Sequence, residues 1–168
     1  MEVFDGIRTL LAVRQYHDRP VPEATVQRIV EAGRLTGSAM NAQPWHFIVV
    51  QDRDTLRQLG RLARSGAYVA QAPLAIVVAV EKSRFAMSDA SRAIHSMMLA
   101  AWADGVGSNW VGFGGMDDVR ALLKIPAALD VVAIVPFGYP ARPVGKGTKQ
   151  RKPLRDIAHR ERYGQPFA

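Results

Sequence analysis

Two segments set polar and glycine positions beside aromatic anchors: GSAMNAQPWHF at 37–47 and GVGSNWVGFGG at 105–115. A glycine suits a place where backbone must come close to a ligand, because a Cβ would hold the ligand off. The second segment follows a helical pattern and never completes G-x-G-x-x-G, which argues against a dinucleotide-binding turn. The sequence also lacks G-x-x-x-x-G-K-[ST], so a phosphate loop of that class is excluded. His17, His46, His95 and His159 stand apart from one another and from paired carboxylates, so no metal spacing is present. Ser38 and Ser65 lack the turn context of a nucleophile elbow. With no cysteine there is no thiolate, Cys-ligated metal or disulfide. Any redox chemistry must therefore ride on a bound cofactor.

Charge is unevenly spread. Residues 142–162 hold Arg142, Lys146, Lys149, Arg151, Lys152, Arg155, Arg160 and Arg162 against Asp156 and Glu161, so +6 of the net +7 lies there. A cationic tail on a near-neutral body asks for an anion: a phosphate, a nucleic acid or an acidic membrane surface. A simply solvated tail is the alternative. The longest strongly apolar stretch, LAIVVAV at 74–80, is too short to cross a bilayer. Glu2 and Asp5 stand where a secretion signal carries positive charge, so a cytoplasmic protein is expected.

The elements that must hold these residues follow from apolar spacing. Phe4, Ile7, Leu10 and Leu11 predict a helix ending near Ala12, with Val13 to Tyr16 extended. A second helix is predicted from Pro22 to Leu35. A loop at 36–44 then leads into a strand at His46–Val50. Asp52 is a candidate N-cap for a helix carrying Leu56, Leu59 and Leu62. Leu74–Val80 reads as a buried strand, and Asp89–Ala103 as a helix apolar nearly all round, enclosed by the domain or a second subunit. Short strands at Asn109–Val111 and Val131–Phe137 flank a helix at 117–124. The expected fold class is α+β, a central mixed or antiparallel sheet flanked by helices. One domain over 1–168 is expected, with 141–168 as a basic arm.

Five ordered segments resemble the FMN-dependent nitroreductase family: VRQYHDRPVP at 13–22, SAMNAQPWHF at 38–47, GVGSNWVG at 105–112, FGYPA at 137–141 and RKPL at 151–154. Each is weak alone, but together they span nearly the whole chain. The resemblance implies a homodimer with a flavin at each subunit interface, fed by NAD(P)H and discharged to a small-molecule oxidant. The arm would pack on the partner. It implies that Gly37, Ser38, Ala39 and Asn41 reach the second subunit's FMN, while Gln-Pro-Trp anchors their loop. Trp45 and Phe47 are then core residues, and Pro44 fixes the strand's entry angle. Arg14 matches the contact to the flavin pyrimidine edge, where a fixed cation stabilises the anionic reduced ring. Gly112 matches the backbone N–H that meets flavin N5. Val111 and Phe113 would line the ring edge, and Lys149 and Arg151 would meet the ribityl phosphate.

One departure weakens this pattern. Where the family carries Arg-Arg-Ser, this chain reads Leu10, Leu11, Ala12, removing two customary phosphate ligands. Each such charge-assisted bond is worth about 1.5–3 kcal/mol. Arg8 or the basic tail could compensate. The alternative is a nitroreductase-fold protein with weakened or lost FMN binding, using another cofactor or non-catalytic. A nucleic-acid-binding role for the tail is disfavoured, because it shows little aromatic interleaving and no binding motif. EKSRFAMS at 81–88 is too short for the helical lid found in many members, so an open site is expected, with Phe85 or Met87 at its rim.

Overall fold

The computed structural model describes residues 1–112, 116–144 and 149–167. In chain order the helices and strands are α1 (Val3–Thr9), α2 (Glu23–Arg34), β1 (Trp45–Val50), α3 (Arg53–Leu62), β2 (Leu74–Glu81), α4 (Ala86–Ala103), β3 (Gly107–Ser108), α5 (Asp117–Leu122) and β4 (Leu129–Gly138). Short 3-10 turns occupy Ala39–Asn41, Ala67–Gln71 and Leu154–Asp156. The strands form one antiparallel sheet in the order β1-β2-β4-β3. The fold is α+β, with helices on both faces of the sheet.

Strand β2 explains the layering. Its side chains alternate across the pleat, and Leu74 through Val80 are all buried. Leu74, Ile76, Val78 and Val80 pack with Ile29 of α2 and with Ile94 and Met97 of α4. Ala75, Val77 and Ala79 face the other way, onto Leu56 and Leu59 of α3 and Val119 of α5. A strand with helices on both sides has no solvent face, which is why LAIVVAV is apolar without interruption.

The Asp52 carboxylate caps α3, accepting from the Thr55 N–H at 2.8 Å and the Thr55 hydroxyl at 2.7 Å. These two bonds hold its pKa below the ordinary value of 3.8. Trp45 and Phe47 stack with ring centres 6.3 Å apart; Trp45 is buried and Phe47 packs against the α2–α4 core.

Three elements depart from the sequence expectation. Helix α1 stops at Thr9, because Leu10 is extended (φ −52°, ψ 121°) and Ala12 bridges Ser108 in parallel. β3 is two residues, and Val111 makes only an isolated bridge to Ile134. Helix α4 begins at Ala86, three residues early, so only residues 82–85 separate it from β2. The short connection leaves no room for a lid there. Finally, Val3, Phe4 and Ile7 of α1 are 74%, 65% and 48% exposed, an apolar face that the described residues leave uncovered.

Candidate functional site

Gly112 lies where β3 has ended and the chain is held to β4 only through Val111, whose N–H and C=O both bond Ile134 (2.9 and 2.8 Å). Its φ of +133° is closed to L side chains, and a Cβ would collide with Met116 and lie 3.2 Å from the Val132 carbonyl oxygen. The residue is buried, yet its N–H donates to no group among the described residues. An unpaired buried N–H is costly and rare. It borders a cavity of about 360 Å³ walled by Val80, Met87, Trp110, Val131 and Val132, with Ser83 and Asp130 as polar members. Met87 thus stands at the rim of the space beside Gly112. Phe113 lies outside the described residues.

Arg14 is displayed by an extended segment fixed at both ends. The Val13 N–H donates to the Ser108 carbonyl at 2.9 Å, His17 N–H to Tyr139, and Ala141 N–H to Gln15. Val13 and Tyr16 are buried, and Arg14 and Gln15 are exposed. Arg14 makes no side-chain hydrogen bond or ion pair among the described residues. It lines a cavity of about 300 Å³ with Ala12, Gln15, Arg142 and Val144. Burial, reinforced by Tyr68, pushes the Tyr16 phenol far above its ordinary value, with Arg14 opposing. Tyr16 therefore stays neutral and donates to the Val13 carbonyl at 2.7 Å, a structural role. The Ser108 hydroxyl is fully buried with no partner among the described residues.

The 37–43 loop is held rigidly by local bonds. Met40, Asn41 and Gln43 all have φ between 50° and 55°, a left-handed conformation uncommon outside glycine. The Ser38 hydroxyl accepts the Gln43 N–H at 2.8 Å, and the Gln43 amide reaches the Asn41 carbonyl at 3.1 Å. Asp89, fully buried in the first turn of α4, accepts the Ala39 N–H at 3.2 and 3.3 Å and pairs with Arg92. Gly37 has open space around it, Asn41 is exposed, and Met40 protrudes at 87% exposure. Among the described residues the loop makes no hydrogen bond to Arg14, Val111, Gly112 or the tail. The sequence placed Asp89 in a helix but did not identify it as the anchor. The available signal was a lone carboxylate on a helix apolar nearly all round.

In the tail, the Lys149 ammonium donates to the Ile7 carbonyl in α1 at 2.6 Å, and Arg151 bonds the adjacent Gln150 carbonyl. Partial burial, with the nearby Arg151 charge, lowers the Lys149 pKa below 10.5. Arg8 is committed to Asp5 at 3.0 Å. Lys146 lies outside the described residues. No described helix is long and apolar enough to cross a membrane.

The model of the Nitroreductase family matches residues 8–82 and 66–139, together most of the chain. The chain belongs to the nitroreductase family. A protein of Methanothermobacter thermautotrophicus, provisionally named an NADH dehydrogenase/NAD(P)H nitroreductase, is 36% identical over 86% of this chain and 81% of its own. A crystal structure with the same provisional name, from Parabacteroides distasonis, superposes with a TM-score of 0.87 at 27% identity, covering 96% of this chain and 98% of that one. An FMN-dependent nitroreductase of Clostridium difficile gives 0.85 at 25% identity, covering 95% and 99%. This nitroreductase-family chain is thus an oxidoreductase by kinship over nearly its whole length.

Replacing Asp89 with alanine removes the buried acceptor of the Ala39 N–H, a charge-assisted bond worth about 1.5–3 kcal/mol. Amide exchange at Ala39 should then speed to match a free loop, while exchange in β2 changes far less. Unchanged protection at Ala39 would show that the loop is held by other means.

Proposed function

We propose that the chain is an FMN-dependent, NAD(P)H-oxidising nitroreductase acting as a homodimer. The observation that carries the reading is the N–H of buried Gly112, without a partner among the described residues and beside a largely apolar cavity, together with Arg14, which makes no side-chain bond among the described residues and lines a second cavity. That donor set fits a flavin: one N–H for a ring nitrogen and one fixed cation for the pyrimidine edge. When bound, FMN supplies the redox chemistry, accepting hydride from NAD(P)H and passing electrons to a nitroaromatic, quinone or similar oxidant in ping-pong alternation.

The chain's own part is positioning and tuning. Arg14 favours negative charge at the pyrimidine edge, and the Gly112 N–H orients the reacting edge. Val111 packs along the ring. Gly37, Ser38, Ala39 and Asn41 form a preset arm for the partner subunit's flavin; the protruding Met40 and the local bonding of the loop support an outward role. The exposed Val3–Phe4–Ile7 face supports burial against a second copy, on which the 141–168 arm of this single-domain chain would also pack. Lys149 and Arg151 take the phosphate in place of the missing Arg and Ser. Water delivers protons through an open site, and no side-chain acid is required. A cytoplasmic location fits this use of NAD(P)H.

Initial rates at varied NADPH and fixed quinone concentrations should give parallel double-reciprocal lines. Converging lines would contradict alternating half-reactions. A second outcome follows from Lys149. Because its pKa lies below 10.5, its charge fades at lower pH than an ordinary lysine's, and FMN affinity should fall as pH rises through that range. Lys149→Arg should remove the pH dependence, and Lys149→Ala should raise the FMN Kd by about 10- to 150-fold at pH 7. An unchanged Kd in Lys149→Ala would place the phosphate elsewhere.

A further inference from the structure

Helix α3 and the turn after it carry three cations that neither the fold nor the flavin reading uses. Arg57, Arg61 and Arg64 follow one another at spacings of four and three, so they share one side of the helix and its exit. The 3-10 turn Ala67–Gln71 folds back against this side. Gly60 permits the contact: a Cβ there would lie 2.7 Å from the Ala70 Cβ and 2.8 Å from its backbone nitrogen. Between the two runs a groove of about 430 Å³, with small residues Gly60, Ala63, Ala67 and Ala70 in its wall and all three arginines lining it. Arg57 pairs with Asp54 at 2.6 Å; Arg61 and Arg64 make no ion pair among the described residues. The helix dipole accounts for one cation in the last turn, not for three converging on a groove.

The turn that leaves the groove packs on the segment that leads to Gly112. Gly66, between Arg64 and Ala67, packs so tightly on Val111 that any Cβ would collide with its methyl groups. Val111 immediately precedes Gly112.

We propose that this groove receives the phosphate groups of the dinucleotide electron donor and so favours NADPH over NADH. The inference rests on the flavin reading, since the nicotinamide must reach the ring beside Gly112. The chain has no glycine-rich turn to cradle a pyrophosphate, so discrimination falls to side-chain cations. Guanidinium forks bind phosphate oxygens in pairs, and small wall residues let an extended ligand lie close to them. NADPH exceeds NADH by one phosphomonoester, with a charge of roughly −1.5 to −2 at pH 7. Arg61 and Arg64, without an ion pair among the described residues, suit that difference.

The test is calorimetric titration of the purified full chain with 2′-phospho-ADP-ribose, which carries the donor's phosphates but cannot transfer hydride. The double variant Arg61→Glu, Arg64→Glu should weaken binding at least about tenfold and raise KM for NADPH more than for NADH, with kcat little changed. Arg61→Lys, Arg64→Lys should recover much of the loss. Equal affinity in wild type and the charge-reversed variant overturns the proposal. So does tighter binding of a single-stranded oligonucleotide than of the probe at the same salt, which would assign the groove to nucleic acid. The flavin band is recorded alongside. A chain without flavin would fail the reading above while the titration still reads the groove, and a flavin-loaded variant with unchanged affinity would fail only this inference.

Discussion

The hydrogen bond from the Val13 N–H to the Ser108 carbonyl, 2.9 Å long, joins the segment that carries Arg14 to the short strand that leads to Gly112. It draws residues 12–16 alongside β3, and in doing so it ends α1 at Thr9. Val13 and Tyr16 are buried in the core, and Arg14 stays outside. The same short strand leads directly to Val111 and Gly112, whose conformation is held by β4. Arg14 and the Gly112 N–H, which has no partner among the described residues, thus come from segments about a hundred residues apart, fixed by backbone pairing rather than by side-chain contacts. Sites mounted on paired strands are set more firmly than sites on loops.

That frame gives meaning to the altered opening motif. Leu10 and Leu11 are half-buried and Ala12 is exposed, and none of the three carries a polar side chain. Positive charge comes to α1 from the other end of the chain, through Lys149 on the Ile7 carbonyl with Arg151 nearby. A lysine whose charge is disfavoured by burial and by a like neighbour gains when an anion arrives. Its partial desolvation is a cost that a bound phosphate would offset.

Much of this arrangement was legible in the residues. The uninterrupted run at 74–80 announced a strand covered on both faces, and Asp52 announced the start of α3. The brevity of 81–88 correctly foretold the absence of a lid between β2 and α4. Boundaries were harder, because they depend on pairing between distant segments. Helical spacing through Leu10 and Leu11 continued past Thr9, and only the bridge to Ser108 overrides it. The role of Asp89 was hidden for the same reason: a helix residue's identity does not reveal which loop will fold over it. The arginine groove was likewise invisible, since its second wall, the turn at Ala67–Gln71, carries no strong local signal.

The central claim is that this chain holds flavin although Leu10 and Ala12 stand where phosphate ligands are customary. The most direct measurement is the visible absorbance spectrum of the purified protein, taken before and after adding FMN and desalting. The account predicts flavin bands that survive desalting and bleach when NADPH is added without oxygen. A protein that stays colourless after this treatment would contradict it.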